Sequence, residues 1–243
     1  MSSSDIYNQK WRKFLSRVWL FKFIPFVDFV LAAGSLVTGN PHENSDFDVI
    51  VGARQGRVFT ARAFCILAFG LFGWRRRGVH KFISYADAQV DKLNELDLKT
   101  YKLKNLQTSD KFCFNHFVTP AAYRLSEPHN DYWKKLYSSL APVYGEPEVI
   151  QKFFDANEEW MGPVRNSPPK GSFGPRLRAG VVSNGIRWLL SGLLGNWLEK
   201  KLKAVQIKRI ESGLEKEKGY KPRIIYNDNE LEFHPDTKRT ELH

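Results

Sequence analysis

Apolar and polar positions fall into blocks along the chain, and the period of each block predicts an element. Across residues 5–23, Tyr7, Trp11, Phe14, Leu15 and Val18 recur at three- and four-residue spacing. That period predicts an amphipathic helix, with Lys10, Arg12, Lys13 and Arg17 mostly on its other faces, ended by Pro25. Two short apolar runs, 29–33 and 49–51, are bounded by Gly, Pro and Asn and predict buried strands. Residues 57–72 are apolar on nearly every side, which predicts a helix buried against the sheet. Residues 85–93 suggest a short helix, 95–103 a partly strand-like stretch, and 111–118 (KFCFNHFV) a strong strand. Helices are expected at 131–140, capped by Asn130 or Asp131, and at 147–160, with Pro147 in the first turn. A long amphipathic helix is expected at 183–211, its Gly192 and Gly195 suited to close packing. Short strands are expected at 223–226 and 231–233.

This order predicts an α/β (α+β) fold: a mixed sheet with flanking helices, followed by a C-terminal helical region. The expected division is 1–125 and 126–243. The second part holds a basic Pro/Gly-rich connection at 161–178 and a charged tail beyond 213.

Composition adds constraints. The 243 residues are 42% apolar, enough for a packed core, so a largely disordered chain is excluded. A formal charge of +11 favours polyanionic partners, whether nucleotides, nucleic acid or anionic lipid. The basic helix at 183–211 could dock on the domain, dimerise or lie on an anionic membrane, and its interior glycines favour docking. Cys65 and Cys113 sit in apolar runs and read as reduced core thiols. The N-terminus lacks the pattern of a signal peptide, and no apolar run is long and unbroken enough to span a bilayer. A cytoplasmic protein without stable membrane insertion is expected.

The chemistry is concentrated in residues 29–51, FVLAAGSLVTGNPHENSDFDVIV. Strand alternation points Asp46 and Asp48 to one face, and Phe47 and Val49 to the other. Adjacent carboxylates repel unless a proton or cation sits between them, and carboxylate oxygens completed by substrate phosphates suit Mg²⁺ or Mn²⁺. Gly34 lets the backbone approach a ligand, and Ser35 offers a hydroxyl and an amide to a phosphate. Arg57 and Arg62 either hold nucleotide phosphates or are rim residues that snorkel. The run Trp74-Arg75-Arg76-Arg77 is either a solvated exit from the helix or a polynucleotide contact.

The joint pattern of strand, Gly34-Ser35, loop, Ser45-Asp46-Phe47-Asp48 and strand resembles the nucleotidyltransferase superfamily, the fold of DNA polymerase beta. The wider order, from Ile24-Pro25-Phe26-Val27 through GSLVTGN, SDFDVIV, Arg75-Arg76 and KFCFNHFV, is similar to uncharacterised bacterial nucleotidyltransferase-domain proteins. The resemblance implies a nucleotidyltransferase-like sheet in which Gly34 and Ser35 grip the NTP phosphates. Asp46 and Asp48 would hold the metal ions, and a third carboxylate would stand on a later strand. The polar candidate there is Asn115, whose amide oxygen can ligate Mg²⁺ but cannot serve as a base. Asp97 and Asp110 are alternatives, and His116 should face away from Asn115 by alternation. The implied activity is metal-dependent transfer of a nucleoside monophosphate from an NTP, ATP foremost, to a hydroxyl on RNA, protein or a small molecule. The rival expectation is a catalytically impaired module of the same fold that binds nucleotide or RNA.

Overall fold

A computed structural model describes residues 3–76, 109–127, 129–162, 180–214 and 223–234. The expected elements at 85–93 and 95–103, the connection at 161–178 beyond residue 162, and most of the charged tail lie outside the described residues. The described elements run α1 (Ser3–Val18), β1 (Val27–Ala33), β2 (Phe47–Ala53), α2 (Val58–Leu71) and β3 (Phe112–Val118). They continue with α3 (Asp131–Tyr137), β4 (Ala141–Gly145), α4 (Pro147–Asp155) and α5 (Glu158–Met161). The last are α6 (Val181–Leu189), α7 (Leu193–Leu214), β5 (Arg223–Tyr226) and β6 (Glu230–His234).

The strands form one six-stranded mixed sheet in the order β4-β1-β2-β3-β6-β5, so the chain is of the expected α/β class. β1 and β2 are antiparallel, while β2 and β3 are parallel and joined through α2. One face packs on α1, α2 and parts of α6 and α7 through Phe14, Phe21, Val30, Val51, Phe59, Phe69 and Phe117. The other face packs on α3, α4 and α5 through Phe29, Leu31, Ile50, Val118, Trp133 and Phe153. The sheet is thus the middle of three layers.

Three expectations are corrected. First, the C-terminal part is not a separate helical region: β4, which was not expected, and the expected strands β5 and β6 complete the same sheet, so a boundary at residue 125 cuts through it. β4 escapes a pattern search because it is five residues long and contains Pro142, which is tolerated on an edge strand. Second, the helix at 147–160 breaks at Asn157. That fully buried side chain accepts from Leu125 N–H (2.9 Å) and donates to the carbonyls of Tyr123 (2.6 Å) and Phe153 (2.7 Å). Side-chain bonds to the backbone here displace the regular helix ladder.

Third, the helix at 183–211 divides at residues 190–192. A Cβ on Gly195 would stand 1.8 Å from the Leu190 carbonyl oxygen, so the turn requires glycine there. The break lets α6 dock on the start of β1, where Ser183 Oγ donates to the Ile24 carbonyl (3.2 Å) and Arg187 to the Val27 carbonyl (2.6 Å). It lets α7 lie along α2 instead. Glu199 accepts from the backbone N–H groups of Phe59 (2.9 Å) and Thr60 (2.8 Å), satisfying orphan donors at the start of α2. Docking, among the three expected roles of this helix, is therefore what the fold contains. α2 itself is less buried than its sequence suggests, with Leu67, Leu71 and Phe72 exposed. Among the described residues, no helix is long and apolar enough to cross a membrane.

Candidate functional site

β1 ends at Ala33, and Gly34 starts a single 3₁₀ turn, Gly34–Leu36, in place of a longer helix. Gly34 has φ +71°, a left-handed conformation that favours glycine. A Cβ there would lie 2.2 Å from Asp48 Oδ2, so the Asp48 carboxylate rests directly on the Gly34 backbone. Ser35 is half-buried, and Thr38 Oγ1 closes the turn onto the carbonyls of Gly34 and Ser35, each at 3.3 Å.

The loop carrying Asp46 is pinned by a buried lysine. Lys10 Nζ donates to the carbonyls of Glu43 (2.5 Å) and Ser45 (2.8 Å) and pairs with Asp110 Oδ1 (2.9 Å). Lys10 therefore holds the loop from inside. Asp110 also pairs with Lys13, and its carbonyl accepts from Arg17. Burial works to raise the Asp110 pKa, but the ammoniums of Lys13 and Lys10 outweigh it and leave the carboxyl below its ordinary value. Asp110 is thus a structural anion, and its lysine partners remove it from the running as the third carboxylate.

Asp46 and Asp48 share a face, as alternation requires, since Phe47 and Val49 belong to the opposite apolar layer. Asp48 stands opposite Ala33 on β1 and Cys113 on β3. The carboxyl of Asp46 is pushed up to about 7, chiefly by burial and further by Asp48, while Arg76 is the strongest opposing influence. Arg76, expected as a solvated exit or a polynucleotide contact, instead stands beside Asp46. Its backbone N–H donates to the Phe112 carbonyl (3.0 Å), and its guanidinium lies 3.8 Å from Cys113 Sγ and 3.0 Å from Asp46 Oδ2. Arg76 is therefore neither a plain solvated exit nor a free surface cation. The bridge between Arg75 and Phe112 brings it there, which spacing along the sequence does not reveal. Cys113 is buried, its thiol is pushed up to about 12 by burial and Asp48, and it is an inert thiol as expected.

Arg57 and Arg62 stand elsewhere. β2 runs from the aspartates at its head to Ala53, and Arg57 follows that far end. Arg57 donates to Asn196 Oδ1 (2.7 Å) on α7 and lies 5.6 Å from the centre of the Phe26 ring. Arg62 donates to Gln206 Oε1 (2.7 Å), also on α7, and lies 5.0 Å from the Phe233 ring centre. Both guanidiniums tie α2 to its neighbours and are not gathered with Asp46 and Asp48. The expectation that they grip phosphates is corrected accordingly.

The residues at the site suit an oxygen-liganded divalent ion. Asp46 Oδ1 is buried and has no hydrogen-bond partner among the described residues. Two carboxylates with one uncommitted oxygen match Mg²⁺ or Mn²⁺ better than a thiophilic metal. Among the described residues, no third His, Cys, Asp or Glu joins the pair in a three-ligand group. Asn115 is half-buried on β3, two positions beyond Cys113, and Asp97 lies outside the described residues.

β3 carries a bulge that alternation did not foresee. Cys113 pairs with Asp48 but His116 with Ile50, so three steps on β3 match two on β2. The extra residue turns His116 onto the face of the aspartates, where its ring meets Tyr137 at 6.4 Å between centres. It does not face away. Compared with known proteins, the chain matches no family model, no curated protein and no solved structure.

Proposed function

We propose that the chain is a Mg²⁺-dependent nucleotidyltransferase. It would move a nucleoside monophosphate from an NTP, with ATP the first candidate, to a hydroxyl acceptor such as RNA or protein. The acceptor oxygen bonds to the α-phosphorus, the bond to the bridging oxygen of the β-phosphate breaks, and pyrophosphate leaves while the hydroxyl loses its proton. The observation that carries this reading is the half-buried carboxylate pair. Asp48 is seated on Gly34, and Asp46 presents a buried oxygen without a hydrogen-bond partner among the described residues. Asp46 and Asp48 would hold the ion, which when bound offsets charge on the phosphates and favours ionisation of the hydroxyl.

The chain's own residues have separate tasks in this reading. Lys10 fixes the loop that presents Asp46. Gly34 gives Asp48 its space and leaves the turn backbone open to phosphate oxygens, with Ser35 supplying a hydroxyl. Arg76 keeps Asp46 compensated before substrate arrives and, being about a third exposed, can turn its guanidinium toward phosphate. A transfer assay with labelled ATP and Mg²⁺ tests the reading. Product should form with the wild-type chain and fail with Asp48→Ala, and equal product from both would remove the aspartates from the reaction.

A second reading is a module that holds the nucleotide without transferring it. Two observations favour it. Arg76 occupies the flank of Asp46 where a cation would sit, and inert Cys113 stands opposite Asp48 on the strand expected to carry the third carboxylate. ATP binding without transfer to any acceptor would select it.

A further inference from the structure

A second group of ligating side chains lies on β3 and β6, one and two strands away from β2. His116 on β3 and Glu230 and Glu232 on β6 each offer one ligand atom, and these atoms all lie within 4.8 Å of one another. The pairing of β3 with β6 sets His116 opposite Glu232 and Val118 opposite Glu230. All three side chains are at least nine-tenths buried, with residue exposures of 2%, 4% and 1% for His116, Glu230 and Glu232. They project on one face because cross-strand partners share a face and residues two apart on a strand do too.

We propose that His116, Glu230 and Glu232 form a buried site for a divalent first-row transition-metal ion, with Zn²⁺ the best fit, separate from the aspartate pair. Two observations support it. Around a four-coordinate Zn²⁺, ligand atoms at ordinary bond lengths stand about 3.4 Å from one another. His116 Nε2 and Glu230 Oε1 are already 3.1 Å apart, near that spacing, and all three ligand atoms lie within 4.8 Å of one another. Finally, the second oxygen of Glu230 accepts from Ser126 Oγ at 3.3 Å, the kind of outer contact that orients a ligating carboxylate. The β3 bulge that turns His116 to this face is a further local departure from regular structure that the ligand set makes use of.

The imidazole selects against Mg²⁺, which prefers oxygen ligands and retains water. Depth of burial assigns the ion a structural task. β6 meets β3 over only three register pairs, and the ion would clip the β5–β6 hairpin to the sheet. This inference stands apart from the nucleotidyltransferase reading and survives its failure.

The test uses the full chain carrying Asp46→Asn and Asp48→Asn, so that those carboxylates cannot supply the metal site. After stripping with a chelator, the protein is titrated with Zn²⁺, Co²⁺ and Mg²⁺. The expected result is uptake of one Zn²⁺, a rise in melting temperature with Zn²⁺ but not Mg²⁺, and visible Co²⁺ bands. Adding Glu232→Gln or His116→Gln should weaken Zn²⁺ affinity by about tenfold or more. Failure of the unsubstituted triad to gain either Zn²⁺ or thermal stability overturns the proposal whatever the folding of the variants. Uptake that is unchanged by both substitutions also overturns it, because the ion would then sit elsewhere.

Discussion

Two acidic centres share one face of the same sheet, and they are built in different ways. Asp46 and Asp48 lie two positions apart on one strand, at the end where chain turns meet. His116, Glu230 and Glu232 are assembled from two strands whose residues are more than a hundred positions apart. The first centre keeps a partly exposed guanidinium beside it, and the second is sealed. The difference separates two uses of a buried carboxylate. An opening with a movable cation suits a substrate that comes and goes, whereas a closed group with an imidazole suits an ion that stays.

Substitutions should pull the two centres apart. The largest effect belongs to Asp48→Ala, which should lower ATP-dependent transfer by about 100-fold or more while leaving Zn²⁺ uptake unchanged. A rapid-quench or product assay beside metal analysis reads both. Loss of Zn²⁺ in that variant would mean that the centres are one site.

A smaller effect marks the far end of β2. Glu199→Ala removes the acceptor for the Phe59 and Thr60 N–H groups and should cost about 1–2 kcal/mol of stability, seen as a lower urea midpoint. Arg62→Gln, which breaks the bridge to Gln206, should leave ATP affinity within about twofold, or roughly 0.4 kcal/mol. Calorimetry showing a large loss of ATP affinity would return Arg62 to the nucleotide site.

The smallest effect is electrostatic. The folded Asp110 carboxyl titrates below its unfolded value, so its stabilisation is present above that value and is lost as pH falls through the folded pKa. Asp110→Asn should therefore flatten the acid limb of a stability–pH curve below the ordinary carboxylate value of 3.8. It should not alter Zn²⁺ uptake at neutral pH. An unchanged acid limb would mean that the lysine pairs do not stabilise the carboxylate.

What could be read from the sequence follows the same division. Asp46, Asp48 and Gly34 were legible because strand alternation and a turn residue act over a few positions. Strands β1, β2 and β3 and helices α1 and α2 were legible because their apolar runs are local features of the sequence, whereas the short edge strand β4 was not. The triad was not, because it depends on which strands pair and on a bulge that reverses alternation after Cys113. Arg76 looked like one of three equivalent surface arginines until the bridge to Phe112 brought it to Asp46. Likewise, Asn157 gave no sign in its helical context that its side chain would replace the helix ladder with bonds to Tyr123 and Leu125.

The most direct test of the nucleotide-site reading is calorimetric titration of ATP into the full-length chain with and without Mn²⁺, beside the Asp46→Asn, Asp48→Asn double variant. The account predicts Mn²⁺-dependent ATP binding by the wild-type chain and its loss in the double variant, with Zn²⁺ content unaltered. ATP binding that ignores Mn²⁺, or that persists in the double variant, would contradict the assignment of the site to Asp46 and Asp48.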